Sequence, residues 1–422
     1  MNEMKYDLIV AGGGFAGAAA ALSAAREGLK VLLFDKNNCL GGAAAGCLVN
    51  PFMPYWTTNA QTKEKQLLSQ GIFTEIVEKL QAMGPEAMPN ASMFNEEYLK
   101  LLLNRLLIEA GVKLLFHSYL VGAKTVDGQV KSVTVANKSG MQTYEADYFV
   151  DATGDGDLAV MCGCPWHLGR PEDNLCQPMT LCFRVCGVDI EGFKAQRNDM
   201  QKLYKEYQEQ GRIKNIRENI LTFFMPQPGV VHFNSTRVVK KNPVDAMDVT
   251  EAEIAAREQV FELFQFLKEN FSSFANAHIF STAMEIGARE SRMIEGEYIL
   301  TQEDLVACTK FEDAITACNY DIDIHNPAGS GTSHYYFAPG AYYTVPYRCL
   351  TPQKTENLLV AGRCISSTHE AQASYRIMPT CCTLGQAAGT AAAVAAKHHC
   401  GVKDIDVKEL QAILRKNGAK ID

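Results

Sequence analysis

Residues 12–17 read Gly-Gly-Gly-Phe-Ala-Gly, a G-x-G-x-x-G hexapeptide, and an acidic residue, Asp35, stands 23 positions after its first glycine. That spacing suits the binding of a dinucleotide. Gly12 permits a tight turn, Gly14 lets a pyrophosphate approach the backbone, and Gly17 lets a helix pack closely on the preceding strand. Phe15 and Ala16 open a helix whose positive end faces the diphosphate, and Asp35 can accept hydrogen bonds from a ribose hydroxyl. Far along the chain, residues 366–376 hold two more groups of interest. His369 can give or take a proton near neutral pH, and Arg376 can fix an anionic or carbonyl group. The alternative is that both only hydrogen-bond a loop or a domain interface.

Other residue sets carry weaker signals. Arg289 and Arg292 are three apart, a spacing that shares one helix face. With Glu290 and Glu295 nearby they read as a solvated salt-bridge face or as a clamp on a substrate or cofactor. The aromatic run His334-Tyr335-Tyr336-Phe337 can stack on a ring or pack in a core. His398, His399 and Cys400 read as an exposed turn, and no metal site is expected.

The elements that must position these groups begin with an apolar strand at 6–11, the glycine turn, a small-residue helix at 15–27 stopped by Gly28, and a second strand at 30–35. This is a βαβ opening. Residues 95–110 form a helix that Asn95 can cap and Gly111 can stop. Asp127-Gly128 between apolar stretches is a hairpin signal, and the pattern predicts a three-stranded meander ending in a strand at 148–152. From 176 to 343 long amphipathic stretches take over, such as 251–270. The αβ rhythm returns at 357–361, and an Ala-rich helix follows at 380–397. The reading is an α/β protein with a discontinuous first domain, 1–175 and 344–422, into which 176–343 is inserted.

The chain has 422 residues, 47% hydrophobic and 21% charged, which excludes disordered and coiled-coil classes. A net charge of -8 argues against nucleic acid as a partner and leaves a small molecule. Fourteen cysteines include no C-x-x-C pair, so reduced thiols in a cytoplasm are expected, with Cys381/Cys382 the one redox candidate. Residues 8–25 lack charge but are mostly Gly and Ala, with no positive segment before them. No membrane span or targeting segment is read.

Three further segments separate FAD from NAD. Cys39-Leu40-Gly41-Gly42 follows Asp35, Asp151-Ala152-Thr153-Gly154-Asp155-Gly156-Asp157 ends a strand, and Ala361-Gly362-Arg363 precedes Gly385-Gln386-Ala387-Ala388-Gly389 in the last helix. With these the chain resembles the FAD-dependent oxidoreductases of two-dinucleotide-binding-domain architecture. It looks closest to the bacterial branch distantly related to succinate dehydrogenase and fumarate reductase flavoproteins. The resemblance implies a Rossmann-like FAD-binding domain with a β-meander and an inserted α+β substrate domain. It also implies roles: Gly12, Gly14 and Gly17 at the pyrophosphate, Asp35 and Lys36 at the adenosine ribose, and Gly41 and Gly42 along the ribityl chain and flavin. Val121 would meet adenine through its backbone. Gly154 and Asp155 would sit by the diphosphate, Gly362 and Arg363 by the ribityl phosphate. Gln386, Ala387, Ala388 and Gly389 would border the flavin N1–C2=O edge at the start of the last helix. Asp35 departs from the Glu usual there.

The resulting expectation is hydride transfer between a small organic substrate and noncovalent FAD, with His369 exchanging the proton and Arg376 positioning the substrate. The electron partner is open, and a homo-oligomer is allowed. Rival readings are a fumarate-type double-bond reductase, a redox-neutral flavoprotein and a non-catalytic flavin-binding module. A further alternative takes residues 154–159 as the start of a second, NAD-binding βαβ unit.

Overall fold

The computed structural model describes residues 5–422. Tyr6–Ala11 (β1) is an apolar run because both faces of the strand are covered. The glycine turn leads into Phe15–Arg26 (α1), which returns the chain to Val31–Phe34 (β2), parallel to β1 with Leu8 opposite Val31. Ile72–Ala82 (α2) and Glu96–Glu109 (α3) follow. Asn95 caps α3 by accepting from the Glu97 N–H at 3.0 Å. Lys113–Leu115 (β3) joins the sheet beside β2.

The expected meander is present as Tyr119–Val126 (β4), Gln129–Asn137 (β5) and Gly140–Asp151 (β6). Its first turn has φ of 49° at Asp127 and 74° at Gly128, the two positive values of a type I′ hairpin. β6 serves two sheets. Its first half runs antiparallel to β5, with Glu145 opposite Ser132, and its second half lies parallel to β1, with Tyr148 opposite Leu8. Residues 154–159 do not start a second βαβ unit. A five-residue helix, Asp157–Met161, leads only to Trp166–Leu168 (β7).

The inserted unit has its own core. Phe183–Cys186 (β8), Thr222–Phe224 (β9), Val231–Phe233 (β10) and His278–Thr282 (β11) form an antiparallel sheet in the order β9-β10-β8-β11. Ile190–Glu209 (α4) and Ala246–Asn270 (α5) pack apolar faces into that core, where Phe193, Val260, Leu263 and Phe274 are buried. The core draws on Leu48 and on residues from Met179 to Ile286. Ile294, Leu300, Ile315, Tyr343 and Val345 pack in the first core instead. The reason lies in the pairing of the elements after the insertion. Arg292–Ile294 (β12) pairs with β7, and Ala314–Cys318 (β13) pairs with Tyr343–Pro346 (β16) after a hairpin of the buried strand Ile322–His325 (β14) and the largely exposed strand Thr332–Tyr335 (β15).

Leu358–Val360 (β17) pairs with β6 and completes the parallel order β3-β2-β1-β6-β17. His369–Tyr375 (α6), Met378–His398 (α7) and Val407–Lys416 (α8) finish the chain. α7 lies along α1. A Cβ on Gly385 would collide with the Ala16 carbonyl, and one on Gly389 with the Ala20 carbonyl, so the two glycines let the backbones touch. One buried ion pair ties the units together: Arg184 on β8 donates to both oxygens of Glu96 on α3, each at 2.6 Å. No helix of the described residues is long and apolar enough to cross a membrane. Residues 8–25 are β1, the turn and α1.

Candidate active site

The glycines differ in what surrounds them. Gly12 has φ of 98°, and a Cβ there would strike the Ala152 carbonyl. One at Gly17 would strike the Gly12 carbonyl, so this glycine is fixed by the packing of α1 on β1. At Gly14, by contrast, a Cβ would meet only Gly42 Cα at 3.8 Å. The space in front of Gly14 is open, and no side chain caps α1 there. The free N–H groups at this helix end are the anion-binding donors that a pyrophosphate uses. Around the opening, Gly41 N–H donates to Gly13 O at 2.9 Å, and Gly362, with φ of 100°, abuts Ala16. Arg363 donates from Nε to Gly154 O at 2.9 Å and from Nη2 to Asp155 at 2.5 Å, and reaches the Ala288 carbonyl with Nη1. Ser291 also donates to Asp155, at 2.6 Å. Burial is the largest single effect and acts to lower the Arg363 pKa, but Asp155 together with Cys47, Cys364 and Cys381 raises it.

The second cluster lies where α6 meets the segment leaving the insertion. Thr368 caps α6, which places His369 at its first turn. His369 Nδ1 is 2.6 Å from Glu290 Oε1, and Glu290 is fully buried. The other Glu290 oxygen accepts from the Gln177 N–H at 2.8 Å. Burial acts to lower the His369 pKa, but the bond to Glu290 and its charge prevail, and the pKa rises above the usual imidazole value. Nε2 makes no hydrogen bond among the described residues. At the other end of α6, Arg376 Nη2 donates to the Asp323 carboxylate and carbonyl, both at 3.3 Å.

The sequence model of the family described as FAD dependent oxidoreductase matches residues 7–414. The chain belongs to that family. Its relatives include digeranylgeranylglycerophospholipid reductase of Sulfolobus acidocaldarius, 28% identical over 36% of this chain and 35% of that protein. Thiamine thiazole synthase of Methanococcus aeolicus is 27% identical over 42% of this chain and 63% of that protein. The chain thus spans between about a third and two thirds of the curated relatives it matches. Among solved structures, a geranylgeranyl bacteriochlorophyll reductase-like protein of Thermoplasma acidophilum aligns at a TM-score of 0.48 and 12% identity, covering 98% of this chain and 84% of that one. The family is the expected one, whereas the relatives found are archaeal proteins rather than fumarate reductases.

FAD is the cofactor of this oxidoreductase, and the open face of Gly14 with its uncapped helix end fits a pyrophosphate. Gly12, Gly14, Ala16, Gly17, Gly41, Gly42, Gly154, Asp155, Gly362 and Arg363 come together around that opening. The Phe15 ring turns away into an aromatic cluster with Phe52 and Phe73. Asp35 is tied to the turn itself, accepting from the Gly13 N–H and, at 2.7 Å, from the Asn37 N–H. Lys36 pairs with Glu285 at 2.7 Å. Val121 lies where the β4–β5 register shifts between Leu120 and Gly122, so its backbone is left out of the ladder.

Two expectations are corrected. α7 begins at Met378, so Gln386, Ala387, Ala388 and Gly389 lie about 12 Å or more along its axis at 1.5 Å per residue. Their side chains are committed to packing. Gln386 Oε1 accepts from the Ile72 N–H at 2.9 Å, at the start of α2, and Ala387 and Ala388 are fully buried. The free helix end belongs to Met378–Thr380. Arg289 and Arg292 also do not share a helix face. Arg292 is on β12 and pairs with Asp157 at 3.0 Å, while Arg289 donates to Pro178 O and Thr180 Oγ1 at 2.6 and 2.7 Å. Glu290, read as part of a solvated face, is the buried partner of His369.

The remaining expectations place simply. His334 and Tyr336 stack on the exposed side of the β14–β15 hairpin, with ring centroids 5.3 Å apart. His398 pairs with Glu409 at 2.7 Å. All fourteen cysteines are free thiols, and burial drives the Cys381 pKa up to about 12, leaving it protonated.

Proposed function

We propose that this oxidoreductase passes a hydride between a small organic substrate and FAD, with His369 exchanging the accompanying proton and Arg376 orienting the substrate. The observation that carries this reading is the His369–Glu290 pair. A fully buried carboxylate holds Nδ1 at 2.6 Å and leaves Nε2 without a partner. A histidine held in this way has a fixed ring orientation and one nitrogen free for a reacting group. FAD, when bound, supplies the hydride chemistry at its N5. The chain's residues do the rest. The turn at Gly12–Gly17 and Arg363 hold the pyrophosphate region, and the buried setting of α6 keeps bulk water from the proton being moved.

Although burial opposes it, the bond to Glu290 and its charge raise the His369 pKa above the usual imidazole value, which favours the protonated ring. That state suits a proton donor and favours net reduction of the substrate as the working direction. Two digeranylgeranylglycerophospholipid reductases among the relatives support the same direction. The test is a panel of candidate substrates scored by anaerobic change in the bound flavin's visible absorbance, in the oxidised and the reduced protein. His369→Ala should keep its FAD and slow the reaction by about 100-fold or more, the scale of lost acid–base catalysis. Reaction at the native rate would make His369 structural.

A further inference from the structure

Beside the acid–base pair the structure gathers more positive charge than it balances. Arg217, just before β9, and Arg237, just after β10, both donate to Nδ1 of His325, at 3.3 and 3.0 Å. Two cations on one ring nitrogen fix it as an acceptor, so His325 is neutral with its proton on Nε2. That nitrogen faces Asp323 at 3.4 Å, and Asp323 in turn meets Arg376 at 3.3 Å. Burial first, and then the charge of Arg289, push the His325 pKa down to about 3. Arg289 itself is lowered to about 9 by burial and by the neighbouring charges of Arg217 and Arg376.

Against these four guanidiniums stand two carboxylates, Asp323 and Glu218, the latter 3.2 Å from Arg237. The count leaves two positive charges uncompensated. Arg217 and Arg237 are 4% and 2% exposed, and Nε of each makes no hydrogen bond among the described residues, nor does Nε of Arg376. Burying a charge without a full set of partners is costly. A fold that concentrates such groups gains most from a ligand that brings the missing negative charge.

The cluster shares a wall with the redox site. Gln177 donates its N–H to Glu290 and accepts, through Oε1, from the His325 N–H at 3.2 Å. Arg289 is flanked by Ala288, whose carbonyl meets Arg363, and by Glu290, which holds His369. One short segment therefore touches the cofactor cradle, the proton-exchanging pair and the arginines.

We propose that Arg217, Arg237, Arg289 and Arg376, steadied by Asp323 and His325, form the subsite for an anionic group of the substrate, a carboxylate or a phosphate. This names the substrate class of the site under Proposed function and rests on that reading. Guanidinium forks match either oxyanion in paired hydrogen bonds. The bound anion places the rest of the substrate toward the wall that Gln177 and Glu290 share, and so toward His369.

The test is isothermal titration of the FAD-loaded protein with malonate, with its neutral analogue malonamide, and with inorganic phosphate. At least one anion should bind while malonamide does not, and the preference between malonate and phosphate tells a carboxylate from a phosphate subsite. Arg217→Gln and Arg289→Met should each weaken the binding at least tenfold with FAD retained. Arg348→Gln, which removes a pair with Asp313 and a cation–π contact with Tyr298, both outside the cluster, should not change it. Failure of both anions to bind, equal binding of malonamide, or undiminished binding in both cluster variants would overturn the proposal. If a variant loses FAD, the malonate–malonamide contrast on the native protein still decides. Anion binding alongside a native reaction rate in His369→Ala would overturn the redox reading and leave the subsite standing. No anion binding alongside a slowed His369→Ala would do the reverse.

Discussion

Gly14→Ala separates cofactor binding from folding more cleanly than any other change in the turn. Gly14 has φ of -66° and ψ of -175°, which an alanine adopts without strain. The added methyl would meet only Gly42 Cα, at an ordinary contact of 3.8 Å. The apoprotein should therefore fold as well as the native one, or gain about 0.4–1 kcal/mol from reduced freedom of the unfolded chain. The methyl stands where the pyrophosphate must approach the helix N–H groups. Pushing it off two charge-assisted hydrogen bonds, at about 1.5–3 kcal/mol each, costs roughly 3–6 kcal/mol. That corresponds to a Kd for FAD weaker by roughly 10²- to 10⁴-fold. The assay is urea unfolding of both apoproteins, followed by fluorescence titration with FAD. Native affinity in the variant would show that the pyrophosphate does not lie over Gly14. An unfolded apoprotein would show that the space in front of Gly14 is not open.

Three other outcomes follow from the same structure. Gly17→Ala should fail to fold or lose several kcal/mol, because its methyl would collide with the backbone of Gly12 and crowd Ala152 Cβ; circular dichroism of the purified variant decides, and a native spectrum and midpoint would refute the packing. Glu96→Gln should cost about 3–5 kcal/mol by leaving Arg184 buried beside a neutral amide; an unchanged urea midpoint would mean the pair does not hold the inserted unit to α3. His232 and His325 are both depressed to about 3, burial being the first cause in each. The unfolded chain takes up their protons below about pH 6.5 while the folded one does not. Stability should be complete above that pH and fall on acidification toward 3, by about 1.4 kcal/mol per pH unit for each histidine. Urea midpoints that stay flat from pH 6.5 to 4, or His232→Gln and His325→Gln variants with the native slope, would refute this.

What the sequence made legible was local. Gly12, Gly17, Asp127 and Gly128 occupy positions where backbone geometry or contact dictates residue type, so the βαβ opening and the hairpin can be read from neighbours in the chain. Asn95 and Gly111 bound α3 for the same reason. The misreadings arose where tertiary packing decides. Arg289 and Arg292 have helix spacing, but β12 pairs with β7 and draws Arg292 into a strand. Glu290 sits among charged residues in sequence and is buried only because Gln177 and His369 converge on it. The lack of side-chain bulk at Gly385 and Gly389 also lets α1 pack against α7, a contact that sequence spacing does not reveal. A carboxylate at Ala387 would be buried. Arg217, Arg237 and His325 were missed because they are scattered over more than a hundred positions.

The most direct test of the central claim is the pH dependence of the flavin–substrate reaction in the native protein and in Glu290→Gln, both with FAD bound. Glu290 is the group that raises the His369 pKa, with Glu370 adding to it and burial and Arg170 opposing. The account predicts a native rate that falls as pH rises through a limb above about 6.5, and a limb moved to lower pH in Glu290→Gln, with a lower rate at neutral pH. Identical profiles in the two proteins, or a limb that moves to higher pH, would contradict it.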